Sequence, residues 1–556
     1  MSYFKGVNIL FNGNILRDAI ISGANNIYKH RKSVDELNVF PVPDGDTGTN
    51  MSMSIGNAAR ALEKVDNLSA GEVADVAASA LLRGARGNSG VITSLLFRGL
   101  AKGLKDQNEV TAENLATAFE LGVAAAYKAV MKPTEGTMLT VARIASEKAS
   151  AIAKTTDDAL VVFEAVLEGA KEALDSTPEL LPVLKKAGVV DAGGMGILKI
   201  FEGMYEVFKG GDIITSEEIV KADKTAGLNI EDDYTAEITF TYCTEFIIQR
   251  SESKSENDAT QLREYLGSIG DSLVVVEDED IIKIHVHTDH PGNALEKGLN
   301  YGMLINLKIE NMREQYENAK PTTNSKRTEV FTPAAPSKHY GFVSVSVGDG
   351  LTDLFKELGV DTIVSGGQTM NPSTDDILKA VEATPAEVVF VLPNNKNIIM
   401  AAEQAVPLST KKVIVLHTRT IPMGISAMLS FDPDTDDDTN AIAMQKAYEK
   451  VSTGQITFAA RDSDYDGHKI KKNDLLAIEN GKVVFTDTDL SASMLKLCQK
   501  MAKKNVSFLT LFYGEDVTDD EAEKIYESVK QKLDKKVEIT LIKGGQPVYY
   551  FYISAE

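Results

Sequence analysis

Up to about residue 210, apolar side chains recur at helical spacing, as in Leu16, Ala19, Ile20, Ala24 and Ile27, and runs that read as strands are nearly absent. Such a segment folds by packing helices, and its chemistry has to come from the loops between them. Ser69 and Glu72 form a capping-box pair, with Leu68 placed to staple against Val73, which predicts a helix from Ser69 to the glycines near Gly84. Further helices are expected at 114–130 and 157–175, making 1–210 an all-α domain.

The pattern then changes. Residues 234–249 alternate like a strand, 258–267 like a helix, 272–276 and 281–287 like strands, 294–301 like a helix and 304–309 like a strand. That order is β-α-β-β-α-β, a ferredoxin-like α+β domain expected at 211–318. Residues 319–338 hold Pro321, Pro333 and Pro336 among several Ser and Thr, and read as a linker. From 339 to 556 apolar runs at 341–347, 361–364, 387–392 and 413–416 alternate with helical segments. This predicts an α/β domain with a largely parallel sheet, continued by 507–512 and closed by 548–553.

A length of 556 residues accommodates several such domains, since one core stops growing well before that size. The net charge of -23 argues against nucleic acid and against stable membrane insertion, because phosphate backbones and anionic headgroups are repelled. Only Cys243 and Cys498 occur, too few for a disulfide framework. Residues 1–13 lack a basic stretch followed by an apolar run, so a cytoplasmic location is expected.

The densest chemical signal is FPVPDGDTGTNM at 40–51, which sets Asp44 and Asp46 two residues apart in a glycine-bearing turn. Two carboxylates facing one point suit Mg²⁺ carrying a phosphate substrate. Thr47, Gly48, Thr49 and Asn50 follow with hydroxyls and backbone N–H groups at a predicted helix start, where an anion is stabilised. A helix cap with solvated acids is the plainer reading of the same run. GARGNSG at 84–90 adds a glycine-rich loop with Arg86, Asn88 and Ser89, in which Arg86 is placed to neutralise charge. EGTMLT at 135–140 and VVDAGGMG at 189–196 share this look, whereas GxxxxGK[ST] and the protein-kinase signatures are absent.

On these motifs, with GGQTMNPST at 366–374, the first domain resembles the ATP-binding α-barrel of the dihydroxyacetone kinase family. In domain order the whole chain resembles the ATP-binding subunits of bacterial fatty acid kinases. The resemblance implies an antiparallel all-α barrel binding ATP, with Asp44 and Asp46 holding Mg²⁺ beneath the phosphates. Dihydroxyacetone kinases use a third Asp just upstream, and here Asn38 stands near that position with different spacing, a neutral oxygen ligand. Nucleotide contacts implied are Thr47, Thr49, Asn50, Asn88, Ser89, Thr137 and Met138, with Asp191 and Gly193 bordering ribose and adenine. The histidine-bearing substrate subunit of the sugar kinases has no counterpart here. SGGQTMNPST and PNNKN, at 365–374 and 393–397, resemble the DegV-type fold of fatty-acid-binding partners, and the last domain is expected to dock such a carrier rather than bind lipid itself.

In the middle domain Cys243 and Glu245 on one strand and His285 and His287 on another are expected to share a sheet face. They offer a possible Zn²⁺ site, and the resemblance supports a metal role for Cys243, His285 and His287; a buried thiol beside imidazoles is the alternative. Asp462, Asp464, Asp466 and Gly467 match the start of an EF-hand loop, but Asn473 occupies the position of its bidentate Glu, so a turn is expected. Residues 432–438 read as solvated acids capping a helix from Asn440. The function expected is transfer of the ATP γ-phosphoryl group to the carboxylate of a fatty acid on a separate carrier protein, with the middle domain making a homodimer. The alternatives are a dihydroxyacetone-type sugar kinase and an ATP-sensing lipid-binding scaffold.

Overall fold

A computed structural model of the chain describes residues 10–38, 45–130, 132–215, 241–250, 258–277, 281–311, 333–367, 370–465, 468–502 and 506–556. It divides into two compact units, one formed by Met1–Val220 with Phe331–Glu556 and the other by Lys221–Val330.

The helical part of the first unit contains α1 (Gly13–Asp35), α2 (Thr47–Leu62), α3 (Ala70–Gly84), α4 (Gly87–Gly103), α5 (Ala112–Ala129), α6 (Met138–Ala153), α7 (Ala159–Leu180), α8 (Pro182–Ala187) and α9 (Ala192–Phe208). Local signals set the ends. The Ser69 hydroxyl accepts from the Glu72 N–H while the Glu72 carboxylate accepts from the Ser69 N–H, and α3 ends at Gly84 as its sequence predicts. Thr111 and Asn114 make a second reciprocal cap, starting α5 two residues earlier than the apolar spacing suggested. The helix α7 runs past the expected 175 and through Pro178. Proline there cannot bond the Leu174 carbonyl, and the Thr177 hydroxyl donates to that carbonyl instead, at 2.7 Å.

Phe11 stacks on Phe208 at 4.0 Å, and Phe163 meets both Phe208 and Phe201 edge-on inside the helical layer. This core continues without a break into Val343, Val345, Val364, Ile377, Val381, Val389 and Ala402 of the following α/β segment.

That segment holds a four-stranded parallel sheet in the order Lys412–Val415, Ala386–Leu392, Lys338–Ser346, Thr362–Ser365. Its two longest strands are nearly continuous buried runs, as both-face coverage requires. The sheet does not continue as the sequence pattern leads one to expect. Phe508–Tyr513 and Tyr549–Ala555 pair antiparallel in a separate six-stranded mixed sheet with Lys482–Asp487, Leu475–Glu479, Ser452–Phe458 and Glu538–Lys543. A two-residue turn, Asn480 and Gly481, both at positive φ, closes the hairpin at one edge of this sheet. Residues 319–332 of the expected linker lie outside the described residues, and beyond them the Ala334 N–H donates to the Glu382 carbonyl. Of the acids at 432–438, Asp436 is the N-cap residue of a helix, Asp437–Tyr448, that begins three residues before the expected Asn440, and its carboxylate accepts from the Thr439 N–H. Asp437 is half-buried and pairs with Lys412 rather than being solvated. Asp466 and Gly467 lie outside the described residues, between strands Ser463–Tyr465 and His468–Ile470.

The second unit follows the order strand Tyr242–Arg250, helix Asp258–Ile269, strands Gly270–Glu277 and Ile281–Thr288, helix Pro291–Leu299, strand Gly302–Asn311. Its antiparallel sheet places Ile281–Thr288 beside Tyr242–Arg250, and Gly302–Asn311 at an edge. Phe246, Ile248, Ile282, Ile284 and Val286 form its core with Leu262, Leu266 and Ala294 of the two helices. In this register Cys243 stands opposite His287 and Glu245 opposite His285, alternating with buried Thr244 and Phe246. The side chains of Cys243, Glu245, His285 and His287 lie outside what the structure describes.

Candidate functional site

Four helices of the first unit begin at one cavity of about 430 Å³. Its lining takes Asp46, Thr47 and Asn50 from the start of α2, Asn88 and Ser89 from α4, Thr137 and Met138 from α6, and Asp191 and Gly193 from α9, together with Asn38. Helix starts carry unsatisfied N–H groups and the positive end of the dipole, so this convergence favours a polyanion.

The first loop is held from below by Asp35, the last residue of α1. One carboxylate oxygen accepts from the Gly48 N–H at 2.7 Å and the Thr49 N–H at 3.1 Å, and the other accepts from the Thr49 hydroxyl at 2.7 Å. Burial pushes the Asp35 carboxyl above the usual range, and the bonds from Thr49 and Gly48 partly offset this. At Gly48 a Cβ would meet the Arg31 carbonyl at 2.2 Å, so only glycine lets α2 start this close to α1. The Asn38 amide donates to the Asp35 carbonyl and accepts from the Thr47 hydroxyl at 2.9 Å. Asp46 is the N-cap residue of α2, yet its side chain makes no cap bond; its carboxylate accepts from the Asn371 amide at 2.7 Å. Asp44 lies outside the described residues.

In the second loop Gly87 adopts φ +59, and Arg86, the N-cap residue of α4, gives it no side-chain cap. The Arg86 guanidinium does not line the cavity. It donates to the Asn371 carbonyl at 2.7 Å and pairs with Asp376 at 3.3 Å, tying the helical layer to the α/β segment. Gly48 and Thr49 are likewise absent from the lining, because Asp35 engages their donors.

The third loop is braced by Glu135, which accepts from Tyr127, Thr140 and Arg143 at 2.7–2.9 Å. The fourth is capped by Asp191, which accepts from the Gly194 N–H at 2.7 Å. Burial pushes the Asp191 carboxyl up to about 6 against the opposing backbone N–H groups of Gly194, Met138 and Gly193. Between its unfolded value near 3.8 and about 6 the folded chain holds the extra proton, so this group's contribution to stability falls as pH rises through that window. Asp191→Asn keeps a cap acceptor and removes the titration. Its stability should therefore rise relative to the parent from pH 5 to pH 7.5, by roughly 1.4 kcal/mol. Urea unfolding of both proteins across that range checks this, and a flat difference would remove the burial argument.

Spacing alone missed several lining residues: Lys132 and Thr134 before α6, and Lys396 and Asn397 of the α/β segment. PNNKN stands out in the sequence, but nothing local ties it to a loop more than three hundred residues earlier. The Asn88 amide oxygen is buried with no hydrogen-bond partner among the described residues, an acceptor beside the cavity. Carboxylate and amide oxygens at Asp46 and Asn38 are hard donors of the kind Mg²⁺ takes, and the helix starts beside them suit phosphates, so the residues present fit a magnesium nucleotide. No group of His, Cys, Asp and Glu able to hold a metal is assembled among the described residues, and no described helix is long and apolar enough to cross a membrane.

Comparison with known proteins matches residues 41–206 to the DAK2 domain, 239–319 to the middle domain of FakA-like fatty acid kinase proteins, and 341–556 to their C-terminal domain. The Bacillus subtilis protein YloV is 42% identical over 98% of this chain and 99% of its own. An uncharacterized Staphylococcus epidermidis protein is 40% identical over 98% and 99%. Among solved structures, the "dihydroxyacetone kinase from C. freundii in complex with AMP-PNP and Mg2+" covers 37% of this chain and 36% of its own at 17% identity, with a TM-score of 0.29, a likeness too distant to bear on function.

Proposed function

Because the chain belongs to the FakA-like fatty acid kinase family, with a DAK2 domain as its helical part, we propose that it is a kinase subunit moving the ATP γ-phosphoryl group onto a fatty acid carboxylate. The observation that carries this reading is the convergence of four helix starts and the Asp46 carboxylate on one cavity. In the reaction the bond from Pγ to the β–γ bridging oxygen breaks, a carboxylate oxygen bonds to Pγ, and ADP and an acyl phosphate leave. No proton moves, so no general base is needed, and the protein works by positioning and charge neutralisation.

Asp46, with Asp44 and Asn38, would hold Mg²⁺, which when bound supplies charge neutralisation at the phosphates. Thr47, Asn50, Asn88 and Ser89 would surround the phosphates, and Thr137, Met138, Asp191 and Gly193 the nucleoside. Ile92, Val130, Met138 and Leu139 share this lining with its polar residues, and the acyl tail would be held elsewhere, on a separate DegV-type fatty-acid-binding protein. Leaving that tail in water costs about 0.8 kcal/mol per CH₂, so a carrier that buries it and presents the carboxylate avoids the penalty. Single-turnover reactions with γ-labelled ATP, carrier-bound fatty acid or dihydroxyacetone test the reading. Label in a hydroxylamine-sensitive acyl phosphate supports it; label in the sugar, or nucleotide binding without transfer, sinks it.

The middle unit would act apart from this chemistry. The exposed Met303, Ile305 and Leu307 on its edge strand support self-association, and Cys243, His285 and His287, with Cys243 in register opposite His287, would be the residues to hold a structural Zn²⁺. The parent protein should sediment as a dimer with stoichiometric zinc by elemental analysis. Met303→Glu with Leu307→Glu should shift it to monomer, and Cys243→Ala with His285→Ala should remove the metal; a metal-free monomeric parent would discard both ideas.

A further inference from the structure

The cavity is not made by the helical layer alone. Met370, Asn371 and Ser373 follow the strand Thr362–Ser365, and Asn394 to Asn397 follow Ala386–Leu392, so both loops lie at the carboxyl ends of parallel strands, where α/β sheets present ligand-binding groups. The first loop is fastened to the helical layer at several points. The Thr374 N–H donates to the Ala85 carbonyl at 3.1 Å, Arg86 and Ser373 form an isolated antiparallel bridge, and Arg86 holds the Asn371 carbonyl and Asp376. From that anchored backbone the Asn371 amide reaches the Asp46 carboxylate.

The second loop is fastened to the first. The Asn395 amide donates to the Gly367 carbonyl, and its own oxygen accepts from the Asn397 N–H at 2.9 Å. Between these two asparagines stands Lys396, which with Lys132 supplies the lysines among the described lining residues of the cavity. Two anions, a γ-phosphoryl group and a carboxylate, must approach each other in the proposed reaction, and that requires a cation where they meet.

We propose that the α/β segment is the acceptor wall of the phosphoryl-transfer site: Lys396 binds the transferred phosphoryl group, and Asn371 is a positioning residue that aims the Asp46 carboxylate. This rests on the reading of the cavity as a magnesium-nucleotide site, and it assigns to these loops a role in the chemistry itself beyond docking. Lys396 meets charge that develops during transfer, so it acts on turnover more than on nucleotide affinity. Asn371 acts through Asp46, so it acts on the apparent affinity for Mg²⁺.

The test uses the full chain with Lys396→Met, Asn371→Ala and Asn371→Gln, thermal melts serving as the folding control. AMP-PNP binding is titrated against Mg²⁺ by fluorescence, and acyl phosphate formation is followed with carrier-bound fatty acid. Lys396→Met should lower kcat about 100-fold with AMP-PNP affinity changed less than about threefold. Asn371→Ala should raise the Mg²⁺ concentration for half-maximal AMP-PNP binding about tenfold, with partial recovery in Asn371→Gln. A parent that fails to bind Mg·AMP-PNP overturns the nucleotide-site reading and this proposal with it. A parent that binds and turns over, beside variants with parental kcat and Mg²⁺ dependence, overturns this proposal alone. Loss of the fold in Asn371→Ala leaves the decision to Lys396→Met, whose parental kcat would also overturn it.

Discussion

Asp46→Ala should lower phosphoryl transfer by roughly a thousandfold or more while leaving the helical layer folded. The activity loss follows from removing a charged oxygen donor at a site whose other described metal-type donor, Asn38, is neutral. Retention of the fold follows from geometry. Although Asp46 is the N-cap residue of α2, it makes no side-chain cap bond, and Asp35 satisfies the Gly48 and Thr49 N–H groups from the end of α1. The Asn371 amide that loses its acceptor is buried, but the space vacated by the Asp46 side chain opens on the cavity, from which water can replace the carboxylate. Circular dichroism and turnover measured on the same preparation check both halves. Turnover within tenfold of the parent would remove Asp46 from the metal site, and Asp44→Ala is expected to behave alike.

Asp35→Ala should do the opposite, destabilising the protein by about 3 kcal/mol and losing nucleotide binding as a consequence. Removing the carboxylate leaves the Gly48 N–H, the Thr49 N–H and the Thr49 hydroxyl without their acceptor in a part-buried setting, each costing about 1–3 kcal/mol. Relief of the desolvation that raises the Asp35 carboxyl offsets part of that sum. The start of α2, which carries Asp46 and Thr47 into the cavity, then loses its tether to α1. Asp35→Asn keeps an oxygen for the two backbone donors and should retain most of the stability and AMP-PNP affinity. Denaturant midpoints with AMP-PNP titrations decide the matter: an alanine variant as stable as the parent would mean the α1–α2 packing alone holds the loop. The two aspartates are thus distinguishable, one silent in stability and decisive in turnover, the other decisive in stability first.

Only one of these roles was legible from the acidic loop. Asp44 and Asp46 stand out because they flank a glycine, whereas Asp35 sits at an unremarkable helix end and acquires its role only when α2 folds back onto α1. Arg86 shows the same limit in the other direction. Its glycine-rich surroundings suggest a phosphate-binding cation, yet its partners, Asn371 and Asp376, lie more than 280 residues away and no local pattern announces them. One miss was local: Asn480 and Gly481 are a strong two-residue hairpin signal, and following it would have separated the six-stranded sheet from the parallel one.

The amino-acid order by itself determined the helical character of the first layer, the cap at Ser69, the β-α-β-β-α-β succession of the middle unit, and the polar loops where chemistry collects. These rest on hydrogen bonds and apolar spacing within a few residues, so a short window contains all the terms that decide them. Tertiary structure alone decided that four of those loops open on one cavity, that Asp35 braces the first, and that from the α/β segment Asn371 reaches Asp46 and Lys396 reaches the cavity. Those pairings depend on one continuous core joining Phe163 and Val166 to Val343, Ile377 and Ala402, and burial of apolar surface is non-directional, so a core can join segments that no sequence window contains together.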